Sequence, residues 1–421
     1  MAPTKLYPRT ALIVLTALNL VNYIDRSVLF AVQPLVQAEF HRSNADFGLL
    51  SSAFFIVYMC AAPLTGPLAD HYSRKKIIVA GALLWSAATL LTAVTYNFKE
   101  LFIRHALVGI GEVSFSTISP TIIADLFPEK MRGRVLGIFY LTIPFGTALG
   151  YILGGTVSDY YHSWRAPFYI GAVPGIALAM IYVFLPEPER GRFDSIAETP
   201  ERGTILGLVR NPAFWTATLG MAMMTFALGG LQVWMPTFLH RNHGYSLKNA
   251  NWIFGISTAG TGIMAALAGG WLGDYVLRYT RSAYYLVSAV SLGLGIPAMW
   301  IALYTTGNRM LAGIAAAEFL LLINTSPLNA AVINSVGAHI RATAIAVEIF
   351  TIHLLGDASS PWLIGYLSDH HSLAVALVAP IVAIGLSAAI LLYGMRFAPP
   401  LRVDGGPPAS AEPAGASSLT E

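Results

Sequence analysis

The sequence predicts an all-α polytopic membrane protein, with twelve transmembrane helices in two pseudo-symmetric six-helix halves. Three observations lead there. Hydrophobic residues make up 55% of the 421 residues and charged residues only 11%, against about 25% charged in a typical soluble domain. Twelve apolar stretches approach the roughly 20 residues that a helix needs to cross a bilayer. Motifs in the first six stretches recur in the last six. With a mean hydropathy of +0.62, the composition excludes a disordered chain, a nucleic-acid-binding domain and an ordinary soluble enzyme.

The spans fall, in order, at about residues 10–36, 46–69, 77–96, 100–124, 133–158 and 165–186, then 211–239, 249–276, 282–304, 309–333, 342–368 and 372–396. Short polar loops separate most of them. The longest interior polar segment, 187–210, divides an N-terminal half (1–186) from a C-terminal half (211–397). Residues 398–421 are rich in Pro, Ala, Gly and Ser and read as a disordered cytoplasmic tail. Lys and Arg crowd alternate loops, including Arg74-Lys75-Lys76 and Lys130, Arg132 and Arg134. The other side carries Arg42, Lys99, Arg165, Arg241, Lys248 and Arg309. This bias predicts a multi-pass cell-membrane protein with both termini cytoplasmic. It also explains the net charge of +3 without a nucleic-acid partner. The single cysteine, Cys60, excludes an internal disulfide, and no cleavable leader is expected.

The halves echo each other. Gly66-Pro-Leu-Ala-Asp70 follows span 2 and leads into Arg74-Lys75-Lys76. Gly270-Trp-Leu-Gly-Asp274 follows span 8 and leads into Arg278 and Arg281. Arg134 opens span 5 and Ser158-Asp159 closes it; Arg341 opens span 11 and Ser368-Asp369 closes it. A duplicated six-helix unit is a secondary-transporter architecture, with a site between the halves near mid-depth.

These residues carry a family resemblance. Gly66 to Lys76 resembles the loop 2–3 signature of the major facilitator superfamily, and Gly146-Thr-Ala-Leu-Gly150-Tyr-Ile-Leu-Gly154-Gly155 its glycine-rich fifth helix. Asn22-Tyr-Ile-Asp25-Arg26, Gly109-Ile-Gly-Glu112-Val-Ser-Phe-Ser-Thr-Ile-Ser-Pro120, Arg341-Ala-Thr-Ala and His353-Leu-Leu-Gly-Asp357-Ala-Ser-Ser-Pro361 resemble the spinster family. The resemblance implies proton-linked transport of an amphipathic lipid such as sphingosine phosphate or a lysophospholipid. The alternative is a proton-coupled carrier of small organic anions or drugs. In one departure, the position where the superfamily's fourth helix carries an Arg holds His105, and Arg104 precedes it.

Several polar residues lie inside apolar spans, where a charge costs at least about 2.5–3.5 kcal/mol and must be paired or wet. Asp25 lies about 22 Å into span 1, and Glu112 lies about 18 Å below the outer end of span 4. The resemblance points to Asp25 as a proton-coupling carboxylate and to Arg26 as its partner or an anion contact. Glu112 is a candidate for proton coupling and substrate binding. His105 shares a helix face with it and is a further proton-coupling candidate, because a histidine side chain ordinarily titrates near neutral pH. His353 and Asp357, four residues apart, face the same way in span 11. Tyr23, Asn324, His353 and Asp357 join Arg26 as candidate substrate contacts; Glu318 and Glu348 are further buried-carboxylate candidates. Asp70, Arg74 and Asp274 are gating candidates, Asp70 capping a neighbouring helix or pairing with an Arg across the halves. Trp234, Phe226, Phe115, Tyr58 and Phe145 are aromatic residues available to line an apolar path.

The glycine runs read as close helix packing, since none precedes a Lys-Ser or Lys-Thr at phosphate-loop spacing. No cofactor or metal is expected, and no enzymatic activity. The expected partners are a lipid or amphipathic small molecule, protons and the bilayer, with the chain acting as a monomer.

Overall fold

The computed structural model describes residues 7–190, 205–336 and 340–399. Most of the expected linker and nearly all of the expected tail lie outside these residues. The described chain is helical. In order it runs α1 (Tyr7–Ala31), α2 (Gln33–Phe40), α3 (Asn44–His71), α4 (Arg74–Thr92), α5 (Phe98–Leu126), α6 (Glu129–Tyr161), α7 (Ala166–Val183) and the short α8 (Ile205–Val209). The second half continues with α9 (Pro212–His243), α10 (Leu247–Leu277), α11 (Ala283–Tyr304), α12 (Gly307–Leu322), α13 (Thr325–Asn334), α14 (Arg341–Ile352), α15 (Ser360–His370), α16 (Leu373–Ala376) and α17 (Val378–Gly394).

Helix starts follow from local chemistry. Ser43, Ser73, Asn97, Asn211 and Ser246 each accept the backbone N–H three residues on, opening α3, α4, α5, α9 and α10. Such caps satisfy donors that the first turn leaves orphaned.

Among the described residues, eleven helical segments are long and apolar enough to cross a membrane. The remaining expected span, span 11, is broken. It runs as α14, a π-helical turn at His353–Asp357 and then α15, with Gly356 out of helical geometry at φ −100° and ψ −108°. Span 10 also divides, into α12 and α13, where Asn324 donates back to the Leu320 and Leu321 carbonyls.

The predicted glycine run packs α6 against α1. A methyl group on Gly146, Gly150 or Gly154 would lie 2.6–2.7 Å from atoms of Leu20, Tyr23, Ile24, Ser27 or Ala31. This close approach lets α1 and α6 share one seam.

The two ends of the bundle differ. At the end carrying Arg74, Lys75 and Arg190, here the basic end, the polar contacts among the described residues stay within one half. Arg74 pairs with Asp125 at 2.6 Å, and Arg190 donates to the Ala69, Asp70 and Tyr72 carbonyls. At the far end they cross between halves. Thr237 donates to Gln33 at 3.0 Å, Arg241 to Gln37 and Asn44 at 2.9 Å, Asn251 to the Ala31 carbonyl at 2.9 Å, and Tyr151 to the Gln232 carbonyl at 2.6 Å. The far end is therefore sealed, and the halves part toward the basic end.

Candidate functional site

Arg26 lies on the inward face of α1. Its Nη2 and Nε donate to Glu112 Oε2 of α5 at 2.7 and 3.2 Å. Glu112 is fully buried, so this contact is what compensates its charge. Aromatic faces surround the guanidinium. Its carbon lies 4.9 Å from the Tyr23 ring centre, 4.8 Å from Phe54 and 5.5 Å from Tyr58. Each face adds cation–π attraction of about 0.5–2 kcal/mol.

Tyr58 joins this cation to two further groups. Its hydroxyl meets that of Ser116 at 2.6 Å, and its ring packs edge-on against His353 at 5.5 Å. His353 Nδ1 lies 2.9 and 3.1 Å from the two oxygens of Asp357. The π-helical turn places this His–Asp pair opposite Phe55, whose ring stacks at 6.5 Å. The structure thus gathers Tyr23, Arg26, Glu112, His353 and Asp357 into one cluster spanning both halves. His105 stands just behind it, stacked on Phe54 at 5.4 Å and itself buried.

A cavity of about 360 Å³ lies between the halves on the basic-end side of this cluster. Tyr58 and Ser116 form its floor, and Met59, Tyr140, Ile349 and Phe350 are among its walls. Its lining is chiefly apolar, with a guanidinium just beyond the floor.

Other candidates sit elsewhere. Asp25 does not pair with Arg26 and does not face the cavity. Successive residues are 100° apart around a helix, and Asp25 turns into the N-terminal half. There it takes a weak hydrogen bond from Thr89 of α4 at 3.5 Å and lies against Gly171 of α7. Asn324 accepts from Ser291 at 2.7 Å and is fully buried at the helix break, inside the C-terminal half. Arg104 stays on α5's exposed side, bonded to Thr95 and the Leu91 carbonyl. Glu318 accepts from Ser257 and Thr258, and Glu348 is buried in α14. Phe115 and Trp234 are packed core residues.

The gating candidates also separate. Asp70 is exposed, and it meets Arg190 through its backbone carbonyl rather than its carboxylate. Arg74 is buried against Asp125, with Glu187 3.8 Å away. Asp274 accepts from Tyr284 in its own half at 3.1 Å. A helix cap between the halves is made at the far end, by Asp369. It accepts the N–H groups of Asn44 and Ala45 at 2.9 and 2.8 Å. Its repeat equivalent, Asp159, reaches Lys248 in the first turn of α10 at 3.7 Å. The repeat pointed at both aspartates, but not at their partners. Phe54 and Phe55 carried no signal beyond being apolar.

Two six-helix halves in the same orientation, sealed at one end around a shared central cation, define a secondary transporter of the alternating-access type. A family model described as Major Facilitator Superfamily matches residues 15–361, and the chain belongs to that superfamily. Within it the chain belongs to the spinster family. It is 36% identical over 380 residues to "Protein spinster homolog 3" of Danio rerio, covering 85% of this chain and 76% of that one. It is 34% identical over 373 residues to "Sphingosine-1-phosphate transporter SPNS2" of Xenopus tropicalis, covering 85% and 73%. A crystal structure of a bacterial homolog of the human lysosomal transporter Spinster, inward-facing and unoccupied, superposes with a TM-score of 0.82. It is 24% identical and covers 94% of this chain and 98% of that one. The chain is a multi-pass membrane transporter of a small molecule, not an enzyme.

Proposed function

We propose that the protein moves an amphipathic lipid of the lysophospholipid or sphingosine-phosphate type by proton-coupled alternating access. The observation that carries this reading is the apolar-walled cavity whose floor residue, Tyr58, packs its other side against Arg26. An acyl chain suits the walls, and a phosphate suits a caged guanidinium. A relative named as a sphingosine-1-phosphate transporter supports the substrate class.

In this reading the phosphate and Glu112 compete for Arg26. A proton on Glu112 removes its charge and frees Arg26 for the phosphate; loss of that proton restores the ion pair and expels the substrate. Tyr23 shapes the cage, and His353 with Asp357 contacts the headgroup from the second half. Asp25 and His105 act from behind the site, biasing α1 and α5 through their own protonation. Asn324 contributes by holding the break in span 10. Asp70, Arg74 and Asp274 form the basic-end gate. The basic end faces the cytoplasm, as the Lys and Arg distribution favours, and the chain works in the cell membrane as a monomer. Residues 187–210 link the halves, and 398–421 form the tail.

Proteoliposomes test this directly. Labelled lysophospholipid flux should follow an imposed pH gradient and fall with Glu112→Gln. Flux that ignores both the gradient and the substitution would overturn the coupling. Transport of a small sugar acid alone would replace the lipid by an organic anion.

A further inference from the structure

A second groove lies away from the central cavity, between α1 and α6 near the basic end. It encloses about 600 Å³. Leu12 and Ile13 of α1 and Met131 and Ile138 of α6 line its length, with Arg9 and Arg134 beside them. Ile13 is 67% exposed, so in a membrane transporter this surface meets acyl chains. We infer that the groove holds an anionic phospholipid of the surrounding bilayer, its phosphate on Arg9 and Arg134 and one chain along the apolar wall.

Three features support an anionic occupant over a random annular lipid. Arg9 and Arg134 line one groove from two helices, and neither has an ion-pair partner among the described residues. Both are exposed and free to turn their planar donors toward one phosphate. Thr16, also in the groove, has a buried hydroxyl with no partner among the described residues. It lies seven residues, or about 10 Å, deeper than Arg9, where it can donate to an ester carbonyl. The groove is also closed off from the transport path. Asn19 bridges its inner end, donating to Thr142 at 2.7 Å and to the Phe139 carbonyl at 3.1 Å. Beyond that bridge comes the tight Gly146 seam.

Native mass spectrometry of the full chain, released from nanodiscs of phosphatidylglycerol and phosphatidylcholine in equal parts, tests the site. The wild type should retain one phosphatidylglycerol several-fold more often than phosphatidylcholine. Arg9→Gln with Arg134→Gln should bring the two to parity. Ala17→Trp, which fills the groove and keeps both arginines, should abolish retention; Leu12→Trp serves if that variant does not fold. Unchanged preference in the double Gln variant would overturn the inference. So would retention by the filled groove, which would reduce the arginines to general surface charge. Added lysophospholipid should leave the bound lipid in place. Displacement by it would instead make the groove part of the substrate path and overturn the inference. None of these readouts depends on transport, so the site and the proposed function stand or fall separately.

Discussion

Asp369 accepts the backbone N–H of Asn44 at 2.9 Å, so the C-terminal half caps the first turn of a helix in the N-terminal half. The second carboxylate oxygen takes the next N–H, that of Ala45. An anion at a helix N-terminus is favourable by charge and by satisfaction of orphan donors. Here that contact joins the two halves at the sealed far end.

Asp369→Ala should weaken the sealed far end. The contact is exposed, so its worth is about 1 kcal/mol, a roughly five-fold shift in the balance of states. Spin-label distances between positions 41 and 243, in a Cys60→Ser background, should lengthen in a larger share of molecules. An unchanged distance distribution would remove Asp369 from the gate.

Glu112→Leu should leave Arg26 buried without its anion and cost about 3–5 kcal/mol. Replacing both residues by Leu should recover most of that stability while leaving transport abolished. Thermal unfolding and flux measured on the same preparations separate the two effects. Equal stability of the single and double variants would show that the pair is not what holds α1 to α5.

Asp25→Asn should fold with stability within about 1 kcal/mol of wild type, since the amide fits the same space beside Thr89 and Gly171. Its gradient-driven flux should nonetheless fall, while exchange without a gradient persists. Full gradient response in this variant would leave Asp25 a packing residue of the N-terminal half.

Glu39 supplies a pH prediction at the far-end surface. Arg165 donates to both its oxygens at 2.7 Å, and Trp164 adds a bond at 2.6 Å. The hydrogen bonds from Arg165 chiefly hold the Glu39 carboxyl below its usual range. A depressed folded-state value means the stabilisation is complete above the ordinary glutamate pKa of about 4.3 and fades as pH falls through the folded value. Both side chains are partly exposed, so about 0.5 kcal/mol is at stake. The melting-temperature gap between wild type and Glu39→Gln should therefore be present at neutral pH and close in acid. A gap independent of pH would assign the effect to packing against Trp164.

Sequence reading and structure agree where a periodic signal was available. The length of apolar runs located the helices, the spacing of Gly146, Gly150 and Gly154 marked α6 as a close-packing helix without naming α1 as its partner, and the repeat singled out Asp159 and Asp369. Helix period placed His353 beside Asp357. It could not say whether Asp25 or Arg26 faced the cavity, because two adjacent positions 100° apart both looked equally out of place in an apolar span. Cross-half partners were invisible for the same reason. Nothing local to Asn44 marks it as the target of a carboxylate 325 residues away. Phe54 and Phe55 were hidden among many aromatic residues, and only the packed structure distinguishes a ring on a cation from a ring in the core.

The repeat that builds the two halves does not make them mechanically equal. Span 5 is one continuous rod, α6, 33 residues long. Its counterpart, span 11, is jointed at Gly356, with the His353–Asp357 pair sitting in the joint. A tilt of α6 carries both of its ends together, like a lever. A change at the joint can swing α14 while α15 stays clasped to Asn44. The duplicated architecture therefore contains one stiff arm and one elbow.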